Sequence, residues 1–435
     1  MDQAGNNASH AATPPFNQLI RVFGKIGLLS FGGPAAQIAL MHRVLVDEER
    51  WLDERRFLSA LSFCMLLPGP EAMQLATYSG WRLHGVKGGL AAGLLFVLPG
   101  AALVLALSVL YGAYGHTPTI AALFVGIKAA VLAIVLQALV RVANRAIKGR
   151  LDWSVAAGAF VAIFFFNVPF PLVIVAAALA GYFLRTAVVT APSGTAAEPV
   201  PLDRTLRTLA TWLAVWLVPL LAIALVFGPG HVLSQLALFF SKLAVVTFGG
   251  AYAVLAYMAQ AAVDHFGWLT AGEMLDGLGL AETTNGPLIL VTEFVGYIAA
   301  LRAGGVGIGL LGALVTLWAT FAPCFLWIFV GAPYIERLTH APRLASALRT
   351  VTAAVVGVIA NLSLWFALHV LFARVDERSV GPLRLFVPDV GSLDVVAATL
   401  AVLALVLIFA LRWSIVATLA VCGGAALLWL SLAPA

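Results

Sequence analysis

The sequence predicts an all-α polytopic membrane protein: two inverted-topology repeats of about six segments each plus one connecting helix, with broken or re-entrant helices at Gly-Pro motifs. Three observations predict it. The 435 residues are 62% hydrophobic and only 10% charged, against roughly 45 to 50% and about 25% in a soluble domain. One pattern also occurs twice, 217 residues apart and without a gap: Phe23, Lys25, Phe31, Gly32, Gly33, Met41, Asp47, Trp51, Gly69 and Pro70 return as Phe240, Lys242, Phe248, Gly249, Gly250, Met258, Asp264, Trp268, Gly286 and Pro287. Self-similarity at one constant offset marks internal duplication. Finally, seven segments separate equivalent points of the two copies, or five if the interrupted ones re-enter without crossing. Either count is odd, so the copies face opposite ways.

Residues 1–16 are small and polar, a disordered tail without the charged start and apolar run of a signal peptide. The first repeat, 17–185, begins with apolar stretches at 19–41 and 57–81, interrupted by Phe31-Gly32-Gly33-Pro34 and Pro68-Gly69-Pro70. Spans follow at 87–112 and 118–141, then a short pair at 152–166 and 169–184 that meets in a hairpin at 167–171. Residues 186–231 hold a linker rich in Pro, Ala and Thr and one extra span at 208–227. The second repeat, 232–431, runs through interrupted segments at 235–258 and 274–300, long spans at 305–331 and 345–372, and a short pair at 393–410 and 413–431. About 20 apolar residues cross a hydrocarbon core of roughly 30 Å, so the short pairs lie near the limit.

Charge in the loops gives the orientation. Arg82, Lys87, Arg141, Arg145, Lys148, Arg150, Arg185, Arg204, Arg207, Arg337 and Arg343 fall on one side, while the loops 112–118, 167–171 and 227–231 carry no Lys or Arg. The basic side, with the N-terminus, is expected to be cytoplasmic. Loop 42–56 holds Arg43, Arg50, Arg55 and Arg56 and its copy at 259–273 holds none. That contrast fits opposite faces, and fits best if the first interrupted segment of each half re-enters. Arg374, Arg378 and Arg384 fall on the other side and are left unexplained by this count. The net charge of +5 is spread over short loops rather than gathered with aromatics, which argues against nucleic acid as a partner. Cys64, Cys324 and Cys422 lie far apart in apolar runs, without Cys-x-x-Cys or His spacing, and read as core residues. No metal and no cofactor is expected.

Irregular backbone at membrane depth is tolerated only where protein or a water-filled cavity surrounds it, so breaks at equivalent places point to a binding site. Glycine lets the backbone turn, proline suits the first helical position, and the N–H groups opening a half-helix favour an anion. The substrate-binding candidates are therefore Gly32, Gly33, Pro34, Pro68, Gly69 and Pro70, with Gly249, Gly250, Gly286 and Pro287 in the second copy. Ala251 replaces Pro34 there, and Asn285 replaces Pro68. Ser30, Gln74 and Thr77, then Thr247, Thr283, Thr284 and Asn285, are neutral donors suited to a tetrahedral oxyanion, or else groups that satisfy local carbonyls. Lys25 and Lys242 are kept in register, and Lys128 lies mid-span, where a charge costs about 2.5 to 3.5 kcal/mol and seeks a cavity or partner. Snorkelling to the interface is the alternative, chiefly for the first two. Glu71 and Glu282 flank the breaks, as helix-capping charges or as protonatable groups coupling anion movement to protons.

With Phe31-Gly32-Gly33-Pro34, Pro68-Gly69-Pro70, Thr284-Asn285-Gly286-Pro287 and two similar halves, the chain resembles, over about 17–430, a two-domain member of the chromate ion transporter family. The resemblance implies a multi-pass protein of the bacterial inner membrane that exports chromate from the cytoplasm and confers resistance. Chromate or sulfate is the expected cargo, since residues alone do not separate these isosteric dianions. The lipid bilayer is the surrounding partner, and a homodimer is the assembly left open. No Gly-x-x-x-x-Gly-Lys-[Ser/Thr] loop is present, which makes the expected transporter secondary active rather than ATP-driven. A passive anion channel through the same breaks is the competing reading. An enzyme is the weakest, because no cluster of His, Cys or carboxylate forms a recognisable nucleophile and base.

Overall fold

Apolar runs bounded by Gly and Pro breaks become helices in the order α1 (Phe16–Leu29), α2 (Gly33–His42), α3 (Glu54–Cys64), α4 (Glu71–Tyr114), α5 (Pro118–Ala146), α6 (Arg150–Phe164), α7 (Phe170–Leu184) and α8 (Leu202–Phe227). The second half continues with α9 (Val232–Val246), α10 (Ala251–Gln260), α11 (Ala271–Thr283), α12 (Val291–Gly331), α13 (Pro342–Leu371), α14 (Val395–Leu405) and α15 (Ile415–Leu432). This computed structural model describes residues 13–31, 33–115, 117–184, 201–248, 251–335 and 342–432. The site candidates Gly32, Gly249 and Gly250, most of the tail and the linker 185–200 lie outside the described residues. Among the described residues, six helical stretches are long and apolar enough to cross a membrane. Their outward residues are apolar, with Leu225, Val226 and Leu432 at least 75% exposed, which is the surface that lipid covers.

The two longest helices are hairpins. At 44 residues, α4 would measure about 66 Å as a straight rod, more than twice the hydrocarbon thickness. Its backbone leaves helical geometry at His84 (φ −135°) and Gly85 (φ 60°). A side chain on Gly80 would overlap the carbonyl oxygen of Gly88, and one on Gly93 the hydroxyl of Thr77. In a straight helix these pairs would be about 12 and 24 Å apart, so the chain doubles back into antiparallel arms, 71–83 and 86–114. The same reversal occurs in α12 at Gly304 and Gly305 (φ 76°), where Gly296 meets Gly312 and Thr316.

Contacts at the ends of the bundle show which segments return. Gln18 Nε2 donates to Glu49 Oε2 at 2.9 Å, and His84 Nε2 lies 2.7 Å from the Pro14 carbonyl. The start of α1, the turn after α2 and the tip of the α4 hairpin therefore share one end, and both interrupted segments of the first repeat re-enter. Arm 86–114 leads away from this end, α5 leads back, and α6 leads away again. At that far end Gln260 Nε2 donates to Asn167 Oδ1 at 2.7 Å, so the turn after α10 lies opposite its copy after α2. The halves are thus inverted about the middle of the bundle.

They also interlock. α13 packs on α6 and α7 of the first repeat, while α5 packs on α14 and α15 of the second. Each long helix is clasped by the other repeat's terminal pair. Gly357 rests on the Ala156 carbonyl and Gly126 on that of Cys422, close approaches that a larger residue would prevent. α8 lies outside this clasp, held on α12 by Trp212 against Phe329, with ring centroids 4.8 Å apart. One stretch departs from the all-α expectation: residues 375–380 and 383–388 pair as an antiparallel hairpin, β1 and β2, between α13 and α14. This insertion has no counterpart between α5 and α6, and its Arg384 pairs with Asp264 at 3.2 Å, which gives that unexplained arginine a partner.

Inversion has a direct test at Glu48 and His265, equivalent exposed positions in the two copies. In a background lacking the three buried native cysteines, Glu48→Cys and His265→Cys should react with an impermeant thiol reagent from opposite sides of the membrane. Labelling from one side would refute the inverted arrangement.

Candidate functional site

Four breaks meet in the core. The N–H of Gly69 donates to the Thr247 carbonyl at 2.9 Å, and the N–H of Gly286 donates to the Ser30 carbonyl at 2.8 Å. Gly69 and Gly286 are one position in the two copies, and so are Ser30 and Thr247. The two hydrogen bonds are therefore related by the pseudo-two-fold of the repeats. Asn285 Nδ2 donates to the Gly27 carbonyl at 3.2 Å, Gln37 Nε2 to that of Gly286 at 2.6 Å, and Gln74 Nε2 to that of Pro68 at 2.7 Å. Gly69 (φ 122°) and Gly286 (φ 92°) hold backbone geometry that side chains oppose. A Cβ on Gly69 would lie 2.9 Å from Cys324 Sγ, and one on Gly286 3.4 Å from Gly100 Cα. Each break is pressed against the crossing arm of the other repeat.

Beside this junction is a cavity of about 350 Å³, lined by residues of both repeats. Pro34 and Ala35, the first turn of α2, lie at its inner wall with Met65 and Glu71. Arg141 and Arg145, four residues apart and so on one face of α5, line it toward the end that carries the exposed Lys148. Arg349 of α13 completes the basic wall and is held by Asp152 Oδ2 at 3.2 Å. Four cations against the one lining carboxylate, Glu71, give a concave positive surface that concentrates anions. The Tyr252 side chain forms part of the wall, and its hydroxyl donates to Glu282 Oε1 at 2.8 Å, which sets that buried carboxylate directly behind it.

The family described as "Chromate transporter" matches residues 17–182 and 234–428, both repeats without the linker and connecting helix. The chain belongs to the chromate transporter family. It is 34% identical over 389 residues to the chromate transport protein of Pseudomonas aeruginosa, covering 87% of this chain and 88% of that protein. It is 31% identical to a probable chromate transport protein of Synechococcus elongatus (79% and 82% covered) and 29% identical to the chromate transport protein of Cupriavidus metallidurans (82% and 84% covered). No solved structure matches the chain.

In this chromate transporter family member the residues singled out from sequence divide into three groups. Ser30, Pro68, Gly69, Thr247, Asn285 and Gly286 build the junction, where the N–H groups of Gly69 and Gly286 are taken by carbonyls rather than left for an anion. Pro70 caps α4, and Pro287 precedes a single 3₁₀ turn before α12. The hydroxyls of Ser30, Thr77, Thr247, Thr283 and Thr284 all turn back to carbonyls three or four residues earlier. Pro34 and Glu71 face the cavity, and Gly33 (φ 79°) opens α2 beside it. Lys25 and Lys242 are exposed on the outer faces of α1 and α9. Lys128 lies toward the far end of α5, with Nζ 3.1 Å from Asp276 Oδ1, while Tyr111 donates to Asp276 Oδ2 at 2.7 Å.

Sequence reading passed over Gln37, Tyr252, Arg349 and Asp276 as site residues and treated Arg141 and Arg145 only as loop charges. A signal existed for some. Arg349 and Asp276 are charges inside apolar segments, which by default mark a function or a partner, and the four-residue spacing of Arg141 and Arg145 carries their face into the span.

Gly69→Ala and Gly286→Ala should each cost about 1–3 kcal/mol of stability, through strain at positive φ and the added contact, read as a lower thermal midpoint in detergent. Gly24→Ala, in a helix with open space at its Cβ, should leave it unchanged or raise it. Equal behaviour of the three would deny the junction its structural role. Lys128→Met should cost about 3–5 kcal/mol by stranding Asp276, and much of that should return in Lys128→Met/Asp276→Asn. Double-mutant thermal midpoints no higher than the single mutant's would count against the pair.

Proposed function

We propose that this protein exports chromate from the bacterial cytoplasm across the inner membrane as a secondary active transporter, and thereby confers chromate resistance. The observation that carries the reading is the basic cavity, which runs from exposed Arg145 and Lys148 to the first turn of α2 beside the central breaks. Relatives over most of the chain are named chromate transport proteins, and this chain takes the same cargo on that ground. The units that carry it are the repeats 17–185 and 232–431, joined through 186–231, with the tail and the basic loops on the cytoplasmic side. Arg141, Arg145 and Lys148 draw the dianion inward, and the N-terminus of α2 at Gly33-Pro34 receives it. Glu71 opposes the anion when ionised, so its protonation, or that of Glu282 behind Tyr252, links anion loading to protons. A dianion leaving a negative-inside cell gains about 2.3 kcal/mol per charge per 100 mV, roughly 4.6 in all, so export runs electrically downhill.

Uptake of labelled chromate into inverted membrane vesicles, with and without an imposed potential, tests the whole reading. Saturable uptake with counterflow, accelerated by an inside-positive potential, is expected, with sulfate as the competing cargo to compare. Arg141→Gln/Arg145→Gln should raise KM about tenfold, a loss of about 1.4 kcal/mol of binding, at near-normal amounts of inserted protein. Unitary currents in a planar bilayer would replace the transporter with a channel, and an unchanged KM would remove the cavity from the path.

A further inference from the structure

The cavity has a counterpart at the far end. α5 and α13 correspond at an offset of 224 residues, and α2 and α10 at about 217. Ala138, Arg141 and Val142 of the first repeat therefore correspond to Leu362, Trp365 and Phe366 of the second, and Ile38 to Leu255. Two of these positions, Leu362 and Trp365, line a void of only about 10 Å³ together with Ala256 and Arg384. Such a space holds about one water. Trp365 and Phe366 are 5% and 0% exposed and fill what their counterparts leave open.

Arg384 closes this void from outside. It reaches in from the β-hairpin, the insertion that the first repeat lacks, and is itself 8% exposed. Its guanidinium lies 3.2 Å from Asp264 Oδ2 in the turn after α10 and 3.2 Å from Glu377 Oε1 on β1. It also donates to Asn167 Oδ1 at 3.2 Å in the α6–α7 turn, and stands 4.4 Å over the Phe386 ring. The buried Nε–H makes no hydrogen bond, because Glu377 is at ion-pair distance but off its donor direction. One side chain thus ties together the inserted hairpin, the re-entrant tip of the second repeat and the end of the first.

We infer that this void is the closed form of a second oxyanion site, the exit site of the transport reading above, on which the inference rests, and that Arg384 both holds it shut and binds the departing anion. Alternating access rocks or gates one inverted repeat against the other, so a cavity open at one end goes with a closed mate at the other. The charges fit the exchange. Two carboxylates now neutralise the Arg384 guanidinium, and a dianion with bidentate oxygens supplies the same charge and geometry in their place. Opening then replaces one set of partners by another instead of baring a buried cation.

Cysteine access in full-length protein tests this without assuming the cargo. In the cysteine-free background, Ala138→Cys should react with an impermeant maleimide from the basic end, and Leu362→Cys only from the far end and at least fivefold more slowly. Adding Arg384→Ala should speed Leu362→Cys at least fivefold and slow Ala138→Cys at least twofold. The swapped pair Arg384→Asp/Asp264→Arg should restore slow labelling of Leu362→Cys, which guards against a merely misfolded single variant. Arg384→Lys should raise the KM for chromate presented at the far end about tenfold, against no more than about a threefold change at the basic end, where only the shift in population acts. Unaltered Leu362→Cys rates in every Arg384 variant, or equal effects on both KM values, would overturn the assignment. Rapid labelling of both cysteines from both ends in the unmutated Arg384 background would instead overturn the transporter reading beneath it.

Discussion

Everything in this fold depends on two hydrogen bonds, Gly69 N–H to Thr247 and Gly286 N–H to Ser30. A helix that stops at membrane depth leaves carbonyls without donors at its C-terminus, and the segment that follows a second break leaves N–H groups without acceptors. Each such buried group costs about 1–3 kcal/mol, and more in lipid, where no water repairs it. In this fold neither repeat pairs these groups within itself: the N–H at each second break goes to the other copy. An inverted second copy brings the carbonyl end of one repeat to the N–H of the other, twice. Duplication and inversion thus supply partners for the broken backbone.

The junction being consumed in holding itself together, the work on an anion falls to side chains around it. The charges sort accordingly. Lys128 with Asp276, Arg349 with Asp152 and Arg384 with Asp264 are ion pairs with one buried member each, Asp276, Asp152 and Arg384, which removal of the partner would strand. Arg141, Arg145 and Lys148 line open space and remain solvated, so a dianion can take them without displacing a carboxylate. Irregular backbone gives the cavity its shape, and the last turns of α5 give it its sign.

The order of segments was legible because it rests on additive local signals: apolar runs, Gly-Pro breaks and a repeat held at 217 residues across 48 positions. The expected short pair at 152–166 and 169–184 appears as α6 and α7 within two residues, and the charge contrast between loops 42–56 and 259–273 matches their opposite ends. The cavity was not legible, since Pro34, Glu71, Arg145 and Arg349 converge from four distant stretches and no local pattern records that meeting. The β-hairpin stood between: Gly381-Pro382 separates a polar run, 375–380, from a mainly apolar one, 383–388, and the turn signal lies between long helices. The breaks were read correctly as special, but sequence does not tell whether a freed N–H faces a ligand or another carbonyl.

A symmetric frame carrying asymmetric chemistry has a consequence for direction. Where the backbone repeats, the inward and outward forms differ mainly in side chains: Arg141 against Trp365, Arg145 against His369, Glu71 against Leu288 and Thr352 against Lys128. Two forms built from one scaffold lie close enough in energy for a ligand to shift their populations. On the reading given above, the basic-end site offers Arg141, Arg145 and Lys148, which make no ion pair among the described residues, whereas the far site offers one arginine already held by two carboxylates. An anion therefore binds more tightly at the first face than at the second, as suits loading from a dilute cytoplasm and release into a more concentrated exterior. This difference drives nothing by itself, because affinities at the two faces cancel around a closed cycle. On the same reading the membrane potential sets the direction, and the asymmetry sets the concentration at which each face fills.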